Sequence, residues 1–267
     1  MPRPTTTAPR PLRPSAPTFE PMGAPKIPFL LDRRMLAYGV QRWIEIDLTM
    51  PGVLIVGPSG WGKSTAAASA VGTLAVLYPD VRVWVMDGKG DPAFRFLHDV
   101  PGARYYPYRA ALDGLRELNQ ILQDRMAGTI PLPPFCFGWL DELMGLLLLL
   151  PKKEQEEVKG MVTSILLQGR AMGVQLLLSV QRPDASMFAS GGAARESLNH
   201  TLVLGPMSAS MASMVGDMDT AQLMPIPAGT VGAGHLLTAG NNLRAVQVPM
   251  VRDWKKLEKA LIHAVTN

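Results

Sequence analysis

Short apolar runs alternate with longer stretches of helical spacing, and the alternation starts only after about residue 28. Met1 to Pro28 is rich in Pro, Thr, Ala and Arg without an apolar period, which predicts a disordered, extended tail. Trp43-Ile44-Glu45-Ile46-Asp47-Leu48 alternates apolar with polar positions, the pattern of an edge strand. Val53 to Val56 is a short apolar strand, and residues 82–86 form another that runs into the polar turn Asp87-Gly88-Lys89-Gly90-Asp91. Leu112, Leu115, Leu118, Ile121 and Leu122 recur at helical spacing and predict a helix over 111–126. Phe135 to Leu140 predicts a strand ending in Asp141-Glu142, and 155–172 a helix. Val174 to Val180 reads as a fully apolar strand ending in Gln181-Arg182-Pro183. A strand at 201–204, a hairpin over 234–247 and a last helix at 253–265 complete the pattern. Strands alternating with helices predict an α/β fold, a mostly parallel sheet flanked by helices, in one domain over 29–267.

Composition narrows the class. With 267 residues, 47% hydrophobic and 18% charged, the chain can bury a sizeable core. Most of the formal net charge of +4 sits in the tail, where Arg3, Arg10, Arg13 and Lys26 face Glu20. The rest is near neutral, so the basic balance says little about a nucleic-acid surface on the folded part. A single cysteine, Cys136, excludes an intrachain disulfide and a cysteine-rich zinc site. It fits a reducing, cytoplasmic setting. His98, His200, His235 and His263 lack metal-ligand spacing. The greasiest run, Leu146 to Leu150, ends at Pro151 before Lys152 and Lys153, far short of a bilayer span. The first residues carry no apolar signal-peptide core, so attachment to a membrane is expected to come from another chain.

The strongest chemical signal follows the strand at 53–56. Gly57-Pro58-Ser59-Gly60-Trp61-Gly62-Lys63-Ser64-Thr65 fits G-x-x-x-x-G-K-[ST], and Ala66-Ala67-Ala68-Ser69-Ala70 after it favours a helix. In such a turn, successive backbone N–H groups converge on phosphate, glycines let them do so, and the helix adds its positive end. Lys63 supplies a charge for the β- and γ-phosphates of ATP, and the Ser64 hydroxyl a ligand for Mg2+. Ligands of open parallel sheets sit beyond the carboxyl ends of the strands. Four predicted strands end there in polar groups: the P-loop, the Asp87–Asp91 turn, Asp141-Glu142 and Gln181-Arg182. Asp141 suits a carboxylate that holds Mg2+ through water, Glu142 a base that polarises attacking water, and Gln181 a sensor of the γ-phosphate.

These landmarks together resemble the FtsK/SpoIIIE-type DNA translocases of the FtsK–HerA branch of P-loop ATPases. The resemblance covers roughly Pro28 to Val251. It rests on the approach Met50-Pro51-Gly52-Val53, on Asp87-Gly88-Lys89, on Leu140-Asp141-Glu142, and above all on Gly169-Arg170-Ala171-Met172-Gly173 leading through an apolar strand to Gln181-Arg182-Pro183. It implies a RecA-like P-loop NTPase core that assembles as a homo-oligomer, a hexameric ring, and pumps double-stranded DNA with ATP. It also implies an arginine that reaches the neighbour's nucleotide, with Arg170 the first candidate and Arg195 the second. Departures from the family are Trp61, where a small residue is usual and which is expected to pack over the base or a neighbour, and the uncharged stretch Ser208 to Met214. Met207, Met211, Met214 and Met218 fall at helical spacing and predict core packing. With no anchor and no winged-helix module, the resemblance suggests a minimal motor of a mobile element in conjugative DNA transfer, working with a relaxase or a membrane channel protein. Protein-export and phage DNA-packaging ATPases are the alternatives. A small-molecule kinase is disfavoured by the Asp141-Glu142 pair, and a non-hydrolysing scaffold is separable by an ATPase assay.

Overall fold

Apolar runs bounded by glycine and polar turns pair into one ten-stranded sheet in the computed structural model, which describes residues 26–48, 52–189, 194, 197–215, 223–238 and 242–267. The strands are β1 (Lys26–Asp32), β2 (Trp43–Asp47), β3 (Val53–Val56), β4 (Arg82–Asp87), β5 (Tyr105–Pro107), β6 (Cys136–Asp141), β7 (Val174–Val180), β8 (His200–Leu204), β9 (Ala233–Thr238) and β10 (Asn242–Gln247). Their order is β2-β1-β10-β9-β8-β3-β7-β6-β4-β5. From β8 to β5 every pairing is parallel; the wing from β8 through β9, β10 and β1 to β2 is antiparallel. The helices are α1 (Arg33–Leu36), α2 (Lys63–Leu77), α3 (Arg95–His98), α4 (Ala111–Met126), α5 (Leu143–Leu149), α6 (Lys152–Gln168), α7 (Ala209–Val215) and α8 (Trp254–Thr266).

Alternation along the strands divides the core into two layers, because successive side chains point to opposite faces. Val53, Ile55, Val83, Val85, Phe137 and Trp139 pack toward α2, α8 and the antiparallel wing. Leu54, Val56, Trp84, Met86, Leu140, Leu176 and Leu178 pack toward α4, α5 and α6. The central strands β3, β7 and β8 are buried along their whole length, which is why their sequences read as near-continuous apolar runs. Small residues let α2 lie close to its neighbours: Ala66, Ala67 and Ala70 are buried, and a Cβ on Gly72 would overlap the Leu257 side chain of α8.

Most predicted elements are found within a residue or two, and β2 is the edge strand its alternation suggests. Several expectations need correction. The first strand starts at Lys26, so the last three positions assigned to the tail pair with β2 through Lys26↔Asp47 and its neighbours. Residues 1–25 lie outside the described residues, as do Met50, Pro51, Arg195 and Met218. The helix predicted over 155–172 begins at Lys152, directly after Pro151, and tightens into a 3-10 turn at Gly169–Met172. Gly169 sits against the Val174 carbonyl and Gly173 has φ +61°, and this pair turns the chain sharply into β7. Strand β7 is not fully apolar either, since it buries Gln175 and Ser179. Met207 and Met211 pack against the α4–α6 side of the core, as their spacing suggests.

Arg125, at the end of α4, ties this layer to the starts of β6 and β7. Its buried guanidinium donates to the carbonyls of Pro131 (3.1 Å), Pro134 (2.6 Å), Met172 (2.8 Å) and Gly173 (3.1 Å). Replacing it with methionine keeps the stem but strands these carbonyls. Arg125→Met is expected to lower unfolding free energy by on the order of 3 kcal/mol in urea denaturation. A loss near zero would show that water takes over the four acceptors.

Candidate nucleotide-binding site

The parallel register brings the four polar strand ends together. Asp87 pairs with Asp141, Asp141 with Ser179 and Ser179 with Ile55, so β4, β6, β7 and β3 end in one row. The P-loop leaves β3 at one side of this row, and the Asp87–Asp91 turn leaves β4 at the other. Gln181 lies between them, exposed just past β7.

The P-loop needs its glycines at three points. A Cβ on Gly57 would come 2.6 Å from the Leu204 carbonyl, so the loop starts pressed against the end of β8. Gly60 and Gly62 have φ of +82° and +87°, in the left-handed region that glycine occupies freely. Gly62 precedes α2, whose first residues are Lys63, Ser64 and Thr65. Trp61 packs back on its own chain, its ring lying where a Cβ on Gly205 would be 2.7 Å away. The Lys63 ammonium donates to the Pro58 carbonyl at 3.2 Å, closing the loop on itself. Burial pulls its pKa down, against the opposing influence of Glu142, Asp141 and Asp91.

The acids are held from behind. Asp141 accepts a short hydrogen bond from the Ser179 hydroxyl through Oδ1, while its buried Oδ2 accepts none. Burial pushes its carboxyl up to about 6, with the Ser179 bond and Lys89 working the other way. Glu142 stands in the left-handed region at φ 56°, unusual for a residue with a side chain. Its N–H donates to the Ser179 carbonyl at 3.0 Å, it heads α5, and its buried Oε2 also accepts no hydrogen bond. Asp141 Oδ2 and Glu142 Oε2, buried without hydrogen bonds and close enough to Lys63 to act on its pKa, are oxygen donors of the kind that fits Mg2+ with a nucleoside triphosphate. No cluster of three or more His, Cys, Asp or Glu among the described residues suits a metal ion without such a ligand.

Sequence reasoning overlooked Ser179, inside a strand read as fully apolar, and placed the turn at 87–91 at the ligand edge without a role for any one of its residues. A polar residue in a mostly aliphatic buried strand was the available signal for Ser179. In the turn, fully buried Asp87 accepts from the backbone N–H groups of Lys89 (3.2 Å), Gly90 (2.8 Å) and Asp91 (2.7 Å) and from the Tyr105 hydroxyl (3.1 Å). Asp91 then accepts from the Ser64 hydroxyl at 3.4 Å and pairs with Lys89 at 3.0 Å. Arg170 is not brought to this cluster. It is exposed in the 3-10 turn before β7, a strand's length, roughly 20 Å, from the carboxyl ends.

Asp141 gives a pH test with a definite sign. Its pKa rises from 3.8 unfolded to about 6 folded, so its contribution to stability is intact below pH 3.8 and is lost as pH climbs through 6. Asparagine keeps the acceptor for Ser179 without the charge. Asp141→Asn is expected to raise the melting temperature at pH 7, by an amount equivalent to at most about 3 kcal/mol, and to leave it unchanged near pH 4. A gain of the same size at both pH values would exclude ionisation of Asp141 as the cause.

Comparison with known proteins agrees with this geometry. No protein-family model matches the chain. The FtsK domain-containing protein YdcQ of Bacillus subtilis (strain 168) is 26% identical over 206 residues, 70% of this chain, and the match spans 42% of that protein's length. Among solved structures, the pCW3 conjugation coupling protein TcpA, a monomer form with ATPγS, aligns over 90% of this chain and 71% of its own with a TM-score of 0.68 and 17% identity. The cytoplasmic domain of the Thermomonospora curvata type VII secretion ATPase EccC aligns over 91% of this chain and 31% of its own, with a TM-score of 0.60 and 23% identity. In sequence and in fold, the chain is similar to the FtsK-type P-loop ATPases.

Proposed function

We propose that the chain is an ATP-hydrolysing motor that moves double-stranded DNA, in the setting of conjugative transfer by a mobile element. The observation that carries the reading is the row of strand ends, where a P-loop, the Asp141-Glu142 pair and Gln181 meet around two orphaned carboxylate oxygens. In this reading the Gly57–Thr65 backbone cradles the phosphates, Lys63 leaves the Pro58 carbonyl for them, and Ser64 with Asp141 holds Mg2+. When bound, the metal ion neutralises phosphate charge. Ser179 fixes Asp141, Glu142 takes the proton of the attacking water, and Gln181 reads the γ-phosphate. Double-stranded DNA as cargo, assembly as a homo-hexamer and cooperation with a relaxase or membrane channel protein belong to the same proposal, supported by the likeness to an FtsK domain-containing protein and to a conjugation coupling protein. No helix among the described residues is long and apolar enough to cross a membrane. Protein export is the second reading, favoured by the likeness to a secretion ATPase.

ATPase rate with and without duplex DNA, at low and high salt, separates the two. Duplex DNA is expected to stimulate hydrolysis, and the stimulation to fade as salt rises, because a motor grips phosphates. Lys63→Ala should abolish turnover, and Glu142→Gln should keep ATP binding while slowing hydrolysis by roughly 10²-fold or more. A rate indifferent to DNA at low salt favours export, and normal turnover in Lys63→Ala removes the P-loop reading.

Arg170 lies away from its own chain's cluster, so the role assigned to it in this reading is at a neighbour's nucleotide. Arg170→Ala is expected to bind ATP yet to lose about 10³-fold or more in rate in the assembled state. Mixing it with Glu142→Gln subunits should restore activity, because some interfaces then join an intact Glu142 to an intact Arg170. Confirmed mixed rings without recovery would count against Arg170 as the trans arginine.

A further inference from the structure

Asp87-Gly88-Lys89-Gly90-Asp91 is built for a purpose beyond ending a strand. Four donors hold the Asp87 carboxylate, and three of them, the N–H groups of Lys89, Gly90 and Asp91, fold the turn around it. Gly88 passes directly under the two acids: its N–H donates to the Asp141 carbonyl at 2.8 Å. A Cβ there would lie 2.6 Å from the Glu142 carbonyl oxygen and 3.0 Å from that of Asp141. Gly90, at φ +74°, leaves the space that the Tyr108 ring fills. Every constraint in the turn fixes where Lys89 begins. From there the ammonium sits 3.0 Å from Asp91 Oδ2 and 3.9 Å from Asp141 Oδ2, the orphaned oxygen.

The charges around it explain why a cation is needed. Asp91, Asp141 and Glu142 face the cluster from three elements, and Lys63 and Lys89 are the cations among them. Lys63 is the cation that the phosphates take in the reading above, which leaves Lys89 to offset the acids. Phosphates arriving without a metal ion would add negative charge to this partly buried edge, where charges interact far more strongly than in water. We infer that Lys89 is the counter-charge of the metal-free site, offsetting Asp91 and Asp141 so that nucleotide phosphates are accepted without a divalent cation, and that it is dispensable for binding once the cation is present. The inference rests on the nucleotide-binding reading of the site and concerns how that site is neutralised.

The test is the affinity for ATPγS by calorimetry, in excess Mg2+ and again in EDTA. Lys89→Met is expected to weaken binding in EDTA by about tenfold or more, and in Mg2+ by less than about threefold. Lys89→Gln, which keeps length and polarity, should behave alike, and Lys89→Arg should restore binding in EDTA. A merely structural role would weaken binding equally in both conditions, and that result, or a larger loss in Mg2+, overturns the inference while leaving the site's nucleotide binding intact. Absence of binding by the wild type in both conditions would remove the nucleotide reading, and this inference with it.

Discussion

Burying carboxylates at the carboxyl edge of a sheet is the constraint on which the rest of this structure depends. Asp87, Asp141 and Glu142 are each more than nine-tenths buried, and an acid taken from water must find partners or lose its charge. The chain answers differently at each position. Asp87 is saturated by backbone N–H groups and becomes part of the scaffold. Asp141 is half satisfied, bonded on one side to Ser179 and left open on the other. Glu142 is swung by a left-handed backbone into the same space. The scaffold acid is thus spent on geometry, and the two remaining acids keep oxygens for a ligand.

Parallel pairing turns these local solutions into one site. In a parallel sheet all strands finish on the same edge, and each crossover returns through a helix on a face. The sheet here places β7 between the P-loop strand and the Asp141 strand. That order lets Ser179 support Asp141 and sets Gln181 midway between phosphate cradle and acids. The antiparallel wing lengthens the sheet beyond β8 without joining this row. Its contribution near the site is indirect: β8 ends where Leu204 and Gly205 brace Gly57 and Trp61.

Close approach, more than flexibility, explains the glycines that matter. Gly57 lies against the Leu204 carbonyl, Gly88 against the carbonyls of Asp141 and Glu142, and Gly72 against Leu257. At each place a second segment occupies the volume of a side chain. Gly60 stands apart, with open space around it and a positive φ, so its role is conformational. The glycine loop after β3 therefore mixes two kinds of glycine, one fixed by a neighbour and the other by the turn.

By itself the sequence determined the alternation of strands and helices, the edge position of β2, the phosphate loop, and the acids and glutamine at strand ends. These features are local: period-2 and period-3.6 patterns and a glycine turn depend on neighbouring residues only. Strand order, register and the approach of distant segments are not local, and the tertiary structure alone decided them. Ser179 was passed over in a strand read as fully apolar, and gained a role only when β7 paired with β6 beside Asp141. Asp87 was one polar residue of a strand-end turn until its carboxylate took four donors and became the turn's anchor. Lys89 came within reach of Asp141 only when β4 and β6 ended level. Arg170, read from the chain as the arginine for a neighbour's nucleotide, sits at the opposite end of β7 from the row. In each case the residue type was legible, while its partner lay on an element whose place is set by packing.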